Sequence, residues 1–137
     1  MRDFQRARLY RAEPPTVVEF TTLAKAVVFI QRVVQSRWWK SHAIGPWAHA
    51  AITVMAGQGT YAQRNHIVLA YWALNRHTIL HELAHVAAGG AARHGPNFAS
   101  MYLKLVRRFI GPEWARMLRE SFIRNRVKFR ARKVKQV

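Results

Sequence analysis

The clearest hydrophobic pattern in the chain is an amphipathic helix near its N-terminal quarter. Its apolar residues recur three or four positions apart and share one helix face: Leu23, Val27, Ile30, Val34 and Trp38. Thr21 or Thr22 can cap its start, and the pattern ends near Ser36. Because the apolar stripe is wide, we expect this helix to lie in the core and to pack on a sheet.

Two β-rich runs follow, at 47–56 and 61–70, and the short gap between them contains Gly57 and Gly59. Glycines in a short gap between such runs are typical of a hairpin. An earlier segment, 5–11, reads as a weak strand that stops before Pro14-Pro15. We therefore expect a small sheet built around a hairpin.

Three further helices are predicted in the second half of the chain. The first runs from about His77 to Ala88 and ends at a pair of glycines that can adopt a left-handed cap conformation. The second runs from Pro96 to Ile110 and the third from Pro112 to about Asn125, because proline is favoured in the first helical turn. The predicted order is β-α-β-β-α-α-α, an α+β fold.

The distribution of charge predicts a single domain, residues 1–125, followed by a basic C-terminal arm, residues 126–137. The whole chain has 23 Lys and Arg residues against six Asp and Glu, a net charge of +17. Basic residues alternate through the arm, which favours an extended conformation over a helix. Such an excess predicts a polyanionic partner, most often nucleic acid, with a merely solvated basic surface as the alternative.

The terminal and apolar segments predict a cytoplasmic protein. The sequence after Met1 has no apolar core typical of a secretory signal. The longest apolar stretch, 23–34, is interrupted by charged residues and is too short to span a bilayer. There is no cysteine, so a metal would have to be bound by histidine and carboxylate.

One motif carries chemistry. The segment His81-Glu82-Leu83-Ala84-His85 places two histidines one helical turn apart on the same face, where both imidazoles can reach one Zn²⁺ at about 2.0–2.1 Å. Glu82 follows the first of them and can act as general base towards a zinc-bound water. The pattern therefore predicts a catalytic zinc site on the helix that starts near His77.

A catalytic zinc needs a third protein ligand and one open position. His94 is the favoured third ligand, because the glycines at 89 and 90 can turn the chain back towards the first two histidines. Glu113 and Glu120, on the last predicted helix, are the alternatives. His77 precedes His81 by one turn and is expected to be a helix-start residue or a hydrogen-bond partner of a ligand. For the donor that stabilises the tetrahedral intermediate, nothing selects among Tyr71, Tyr102 and Arg93.

The histidine motif, together with His94-Gly95-Pro96-Asn97-Phe98, resembles the SprT-like group of zincin metallopeptidases. The similarity is closer to the short predicted metallohydrolases of actinobacteria and their phages, and it extends from the Gln5-Arg6-Ala7-Arg8 segment to Ile110. The resemblance implies a minimal zincin-like domain, zinc held by the histidines at 81, 85 and 94, and the glutamate at 82 as base. Many SprT-like proteins add a cysteine zinc ribbon, which this chain lacks, so the basic arm is the candidate for substrate targeting.

Peptide-bond hydrolysis is the leading functional prediction, and the resemblance and the charge together suggest protein substrates bound near DNA. The alternative is a nucleic-acid-binding accessory protein whose zinc site is structural or dormant. Glu82 favours the enzyme, because a structural site has no use for that carboxylate. Hydrolysis of a non-peptide amide is a third reading of the same motif.

Overall fold

The computed structural model describes residue 3 and residues 5–129, which form an α+β arrangement of helices around a small sheet. The helices are α1 (Arg6–Ala12), α2 (Leu23–Val34), α3 (Arg37–His42), α4 (Arg76–Ala88), α5 (Pro96–Phe109) and α6 (Pro112–Arg124). The strands are β1 (Thr53–Ala56), β2 (Tyr61–Gln63) and β3 (His66–Leu69). Single 3₁₀ turns lie at Tyr71–Ala73 and Gly90–Ala92.

The four longer helices, α2, α4, α5 and α6, lie where the sequence predicts them, because the residues at their N-terminal ends favour the start of a helix. The Thr22 hydroxyl accepts a hydrogen bond from the Lys25 backbone N–H, which caps α2. The Asn75 side chain caps α4 in the same way, accepting from the Thr78 N–H at 2.8 Å. Helices α5 and α6 each begin with a proline in the first turn. The helical half of the prediction is confirmed to within a few residues.

The N-terminal segment 5–11 is a helix, so the prediction of a strand there is wrong. Leu9 and Ala12 are buried and lie three positions apart, which places them on one face of α1, and α1 packs against α6. Alternating arginines around Leu9 imitate the period of a strand, but they are exposed positions of a short helix. The prolines at 14 and 15 then end α1, because a residue before proline is disfavoured in helical conformation.

The predicted hairpin between the two β-rich runs is also wrong. The sheet order is β1-β3-β2, with β1 parallel to β3 and β2 antiparallel to β3. The hairpin therefore lies within the second run, and its two-residue turn is formed by Arg64, at φ 55°, and Asn65. The glycine-containing segment at 57–60 instead connects β1 to β2, and these two strands lie at opposite edges of the sheet.

The observed order is α-α-α-β-β-β-α-α-α, with α3 as an element that the sequence pattern did not predict. Helix α3 is capped by the Ser36 hydroxyl, which accepts from the Trp39 N–H at 3.1 Å. The Trp39 ring is buried, and its indole N–H donates to the Ala48 carbonyl at 2.8 Å. This tryptophan is therefore a packing residue.

Helix α4 is the centre of the molecule. Eight of its 13 residues are buried, including His81 and Glu82. It packs against α5 on one side and against strand β2 on another. The loop before the sheet crosses its C-terminal end so closely that a Cβ atom at Gly45 would lie 2.1 Å from the Val86 carbonyl oxygen. The helix is therefore fixed on several sides, which holds its polar residues in place.

The start of the predicted basic arm packs on the domain. Val127 is buried, and the Phe129 ring lies 6.0 Å from the ring of Phe122. The Gln5 side chain donates a hydrogen bond to the Lys128 carbonyl at 3.1 Å. Residues 130–137 of the arm lie outside the described residues. Within the described part of the chain, no helix has both the length and the hydropathy needed to cross a membrane.

Candidate metal centre

Two histidines of α4 form the first half of the site. His81 and His85 lie one turn apart on the same face, with ring centroids 5.1 Å apart. His81 is only 4% exposed, and the His85 ring stacks on the ring of Phe98 from α5 at 4.2 Å. The packing of α4 against α5 therefore fixes the orientation of both imidazoles.

His94 returns to this pair through a tight reversal after α4. Gly89 has φ 90° and Arg93 has φ 49°, and the 3₁₀ turn between them reverses the chain. The Nε2 atoms of His85 and His94 lie 3.2 Å apart. One nitrogen from each of the three histidines lies within 4.8 Å of the others. Glu113 and Glu120, the alternative third ligands, are exposed on α6 and are not part of this group.

The donor set fits a tetrahedral metal ion. At a metal–nitrogen distance of 2.0–2.1 Å, two ligands of a tetrahedral ion lie about 3.3–3.4 Å apart. The 3.2 Å separation between His85 and His94 is close to that value. Three imidazole nitrogens with no sulfur ligand match the His₃ class of zinc sites, which keep a fourth position open. These three residues can therefore hold a metal ion.

Two carboxylates from the N-terminal segment orient His81 and His94. The His81 Nδ1–H donates to Glu13 Oε2 at 2.9 Å, and the Tyr102 hydroxyl donates to the same oxygen at 2.9 Å. The His94 Nδ1–H donates to Asp3 Oδ2 at 2.5 Å. Because Nδ1 is engaged in both rings, Nε2 is left to face a metal, which is the usual arrangement behind metal-bound histidines.

The sequence analysis missed both of these carboxylates. The interpretation of 5–11 as a strand gave no reason to bring Glu13 to α4, and Asp3 lies 91 positions from its partner. One signal was present, since the chain has only six acids and each would need a reason to be kept. Three of the six, Asp3, Glu13 and Glu82, lie at this centre.

Burial and these partners set the charge states of the histidines. Burial, together with the charges on the neighbouring His81 and His94, lowers the pKa of His85 to about 2. Burial also lowers the pKa of His94, and its hydrogen bond to Asp3 only partly opposes this. For His81 burial acts in the same direction, but the charge and hydrogen bond of Glu13 outweigh it and the pKa is raised. Neutral His85 and His94 are ready to bind a cation without losing a proton.

Glu82 is buried beside the histidines and is 6% exposed. Burial is the main cause that raises the pKa of its carboxyl; the charge on His81 opposes the rise, the charge on Glu13 adds to it, and the resulting pKa is about 7. A carboxyl with a pKa near neutrality can both accept and return a proton at physiological pH. In the metal-free protein Glu82 is thus a carboxyl that can exchange a proton near neutral pH, next to the three histidines.

A cavity of about 620 Å³ opens onto the metal centre and is lined by His81, Glu82, His85 and His94. Tyr10 also lines it; its ring stacks on the His81 ring at 5.8 Å and meets the His94 ring edge-on at 5.6 Å. Of the three donors considered from the sequence, Arg93 lines the cavity.

The other two are placed differently. The Tyr102 hydroxyl is committed to Glu13, and Tyr71 is exposed outside the cavity lining. Tyr10 is therefore a candidate donor that the sequence analysis missed.

His77 lies at the start of α4 and does not join the three histidines. Its ring packs 5.4 Å from the Trp114 ring of α6, and burial lowers its pKa. The position agrees with the expectation of a helix-start residue. Its buried Nδ1 has no hydrogen-bond partner.

Comparison with protein-family models, with curated proteins and with solved structures gives no match to this chain. The resemblance to SprT-like metallopeptidases therefore remains a prediction carried by the residues at 81–85 and 94–98.

Proposed function

We propose that this protein is a zinc-dependent hydrolase of the zincin type and that it cleaves peptide bonds. The observation that carries the proposal is the combination found at one cavity: three histidine nitrogens within 4.8 Å of one another and, beside them, the buried carboxyl of Glu82. A site that only stabilises the fold needs the nitrogens but gains nothing from Glu82.

When bound, zinc would polarise the scissile carbonyl and lower the pKa of the attacking water. His81, His85 and His94 would hold it through their free ring nitrogens. Glu82 accepts a proton from the water as the water oxygen bonds to the carbonyl carbon. The C–N bond then breaks as the same proton passes from Glu82 to the leaving nitrogen.

Two groups in the cavity lining can stabilise the negative charge that develops on the carbonyl oxygen. Tyr10 packs against the His81 and His94 rings, and its hydroxyl accepts a hydrogen bond from Arg6 at 3.3 Å and keeps its own proton to donate. Arg93 lies on the reversal before His94 and also lines the cavity. A positioned donor of this kind typically contributes a factor of about 10²–10³ to the rate.

Strand β2 favours a peptide over a small amide as substrate. Among the described residues β2 pairs only with β3, so it forms an edge of the three-stranded sheet, and Tyr61, Ala62 and Gln63 all line the cavity. An extended peptide can add to such an edge through main-chain hydrogen bonds. With a net charge of +17, substrates associated with nucleic acid are the natural class for this site.

The decisive experiment compares the wild type with Glu82→Gln. Both proteins are loaded with zinc and incubated with an unfolded protein and with a peptide library, and new N-termini are identified by mass spectrometry. We expect cleavage by the wild type only, with equal zinc content in both, because the amide is nearly isosteric but accepts no proton. Equal cleavage by both proteins would exclude Glu82 as the base. Zinc-loaded wild type that cleaves neither substrate would favour the accessory protein with a dormant site.

A further inference from the structure

A second concave surface lies between α5 and α6, away from the metal centre. It is a groove of about 370 Å³, and four of its eight lining residues are basic: Lys104, Arg107, Arg116 and Arg119. Among the residues that the structure describes, no acidic and no aromatic one lines it. It shares no lining residue with the metal cavity.

The four cations stand in two facing rows. Lys104 and Arg107 are three positions apart on α5, and Arg116 and Arg119 are three positions apart on α6, so each pair lies on one helix face. All four side chains belong to exposed residues. The Arg119 guanidinium also lies 5.7 Å from the centre of the Phe129 ring, in a cation–π contact.

The acids that could neutralise these cations are engaged elsewhere or lie off the groove. Three are at the metal centre, and Glu19 forms a salt bridge to Arg76 at 3.0 Å. The last two, Glu113 and Glu120, are on α6 but do not line the groove. In the described part of the chain, neither of them forms a salt bridge with the four groove cations. The groove therefore keeps its positive charge.

We propose that the α5–α6 groove binds the sugar–phosphate backbone of a nucleic-acid duplex, without reading its sequence. Two rows of cations suit a line of phosphates, and contacts to phosphate position a protein without specifying bases. A single-stranded ligand is disfavoured because binding of unpaired bases relies on aromatic stacking surfaces, and the groove lining has none.

A membrane surface is the other polyanion to consider, and the groove fits it less well. Helices that bind lipid headgroups combine cations with large apolar side chains that enter the bilayer. The exposed apolar residues of α6, Trp114, Met117 and Ile123, do not line the groove. The concave basic surface therefore fits the sugar–phosphate backbone of a nucleic acid better than a membrane.

This inference is independent of the hydrolase proposal, and its test uses no catalytic readout. Helix α5 carries Phe98 and Tyr102 towards the histidines, whereas Lys104 and Arg107 line the groove. A duplex held in the groove leaves the metal cavity open, so a protein bound to that duplex could be presented to the site.

The test measures binding of a fluorescent 20-base-pair duplex by anisotropy between 50 and 200 mM salt. The groove variant carries Lys104→Gln, Arg107→Gln, Arg116→Gln and Arg119→Gln. The control variant loses the same charge at four exposed positions of α2 and α3: Lys25→Gln, Arg32→Gln, Arg37→Gln and Lys40→Gln. Zinc content and thermal melting of all proteins are recorded first, and a variant with Arg107→Lys, Arg116→Lys and Arg119→Lys checks that charge is what matters.

If each groove cation neutralises one phosphate, the slope of log affinity against log salt becomes shallower by up to about 3.6 in the groove variant. Over this salt range the wild type then loses about 150-fold more affinity than the groove variant. The control and the arginine-to-lysine variants should keep slopes near that of the wild type. Duplex DNA and duplex RNA are run in parallel to identify the source of the phosphates.

Three results would overturn the proposal. An equal loss of duplex affinity in the groove and control variants would show that binding depends only on net charge. Unchanged duplex binding by the groove variant, with loss of binding to vesicles containing phosphatidylserine, would assign the groove to a membrane. A single strand that binds more tightly than the duplex would also contradict it.

Discussion

At the scale of single residues, the feature that stands out is the use of carboxylates. The chain has six, and three surround the histidine group: Glu82 beside the cavity, and Glu13 and Asp3 behind the rings. A histidine nitrogen held by a carboxylate keeps one tautomer and one orientation, so less order has to be imposed when a metal binds. The site is thus prepared for a cation by residues that never touch it.

The first prediction concerns the ligands. His81→Ala, His85→Ala and His94→Ala should each abolish stoichiometric zinc, because removal of one of three protein ligands leaves the ion with two. Glu113→Ala and Glu120→Ala, at the rejected ligand positions, are matched controls and should retain about one zinc per chain. Metal content is measured by atomic emission after dialysis against a weak chelator. Zinc retained by His94→Ala and lost by either glutamate variant would contradict this ligand set.

The second prediction concerns Glu13 as a positioning residue. Glu13→Gln should weaken zinc binding by about 10-fold to 100-fold, because a neutral amide supports the His81 ring less strongly than a carboxylate. Glu19→Gln is the control. Glu19 accepts a hydrogen bond from the Arg76 backbone N–H at the start of α4, the helix that carries His81, so the change removes a nearby carboxylate without touching a histidine. Zinc affinity is measured by competition with a chromophoric chelator. Equal affinities for the two variants would show that Glu13 serves only the fold.

At the scale of elements, α4 depends on a close crossing by the preceding loop. The Ile44 and Gly45 backbone N–H groups both donate to the Ala87 carbonyl at 2.8 Å, so the loop is fastened to the last turn of the helix. A side chain at Gly45 would meet the backbone of Val86 and Gly89. These backbone atoms cannot move without moving the reversal that carries His94.

The third prediction follows from this crossing. Gly45→Ala should lower the free energy of unfolding by about 1–3 kcal/mol, the usual cost of overpacking a filled interior. It should also weaken zinc binding, because the displaced backbone leads to His94. Gly59→Ala is the control, since a Cβ there meets no atom within 4 Å. Urea denaturation and chelator competition provide the two readouts, and equal stability of both variants would contradict the prediction.

Helices proved easier to predict from the sequence than the sheet, and the reasons are physical. The starts of α4 and α5 have a capping asparagine and a proline in the first turn, so local chemistry specifies them. The hairpin turn uses Arg64 at positive φ, a residue with no preference for that conformation, while the more conspicuous glycines at 57 and 59 connect β1 to β2. Parallel pairing of β1 with β3 depends on tertiary contacts that no local pattern encodes.

The same distinction applies to the site. His81 and His85 were predictable because helical spacing alone brings them together, and His94 because the reversal is encoded by nearby glycines. Asp3, Glu13 and Tyr10 were not, because they reach the centre only through the packing of α1, which the sequence pattern misrepresented as a strand.

At the scale of the whole molecule, the charge of +17 opposes compactness. Cations are distributed over exposed positions of nearly every helix, and the chain has only six acidic side chains to neutralise them, of which Glu19 pairs with Arg76. Most of the electrostatic energy of this fold is therefore repulsion among exposed like charges, which dissolved ions screen.

The fourth prediction is that salt stabilises the protein. Raising sodium chloride from 10 to 300 mM shortens the screening length from about 30 Å to below 8 Å, so the melting temperature of the metal-free protein should rise by several degrees. Sucrose at matched osmolality controls for solvent exclusion, and melting is followed by circular dichroism. A melting temperature that falls with salt would mean that attractive ion pairs dominate.

The hydrogen bonds between the N-terminal segment and the histidines have a consequence for biosynthesis. The hydrogen-bond partner of Glu13 lies 68 positions later in the sequence, and that of Asp3 lies 91 positions later. Gln5 binds Lys128, which is 123 positions away. A ribosome releases these segments in order, so the early ones emerge long before the histidines they support. A nascent chain therefore has no assembled histidine centre until α6 has left the exit tunnel and α1 has docked on it.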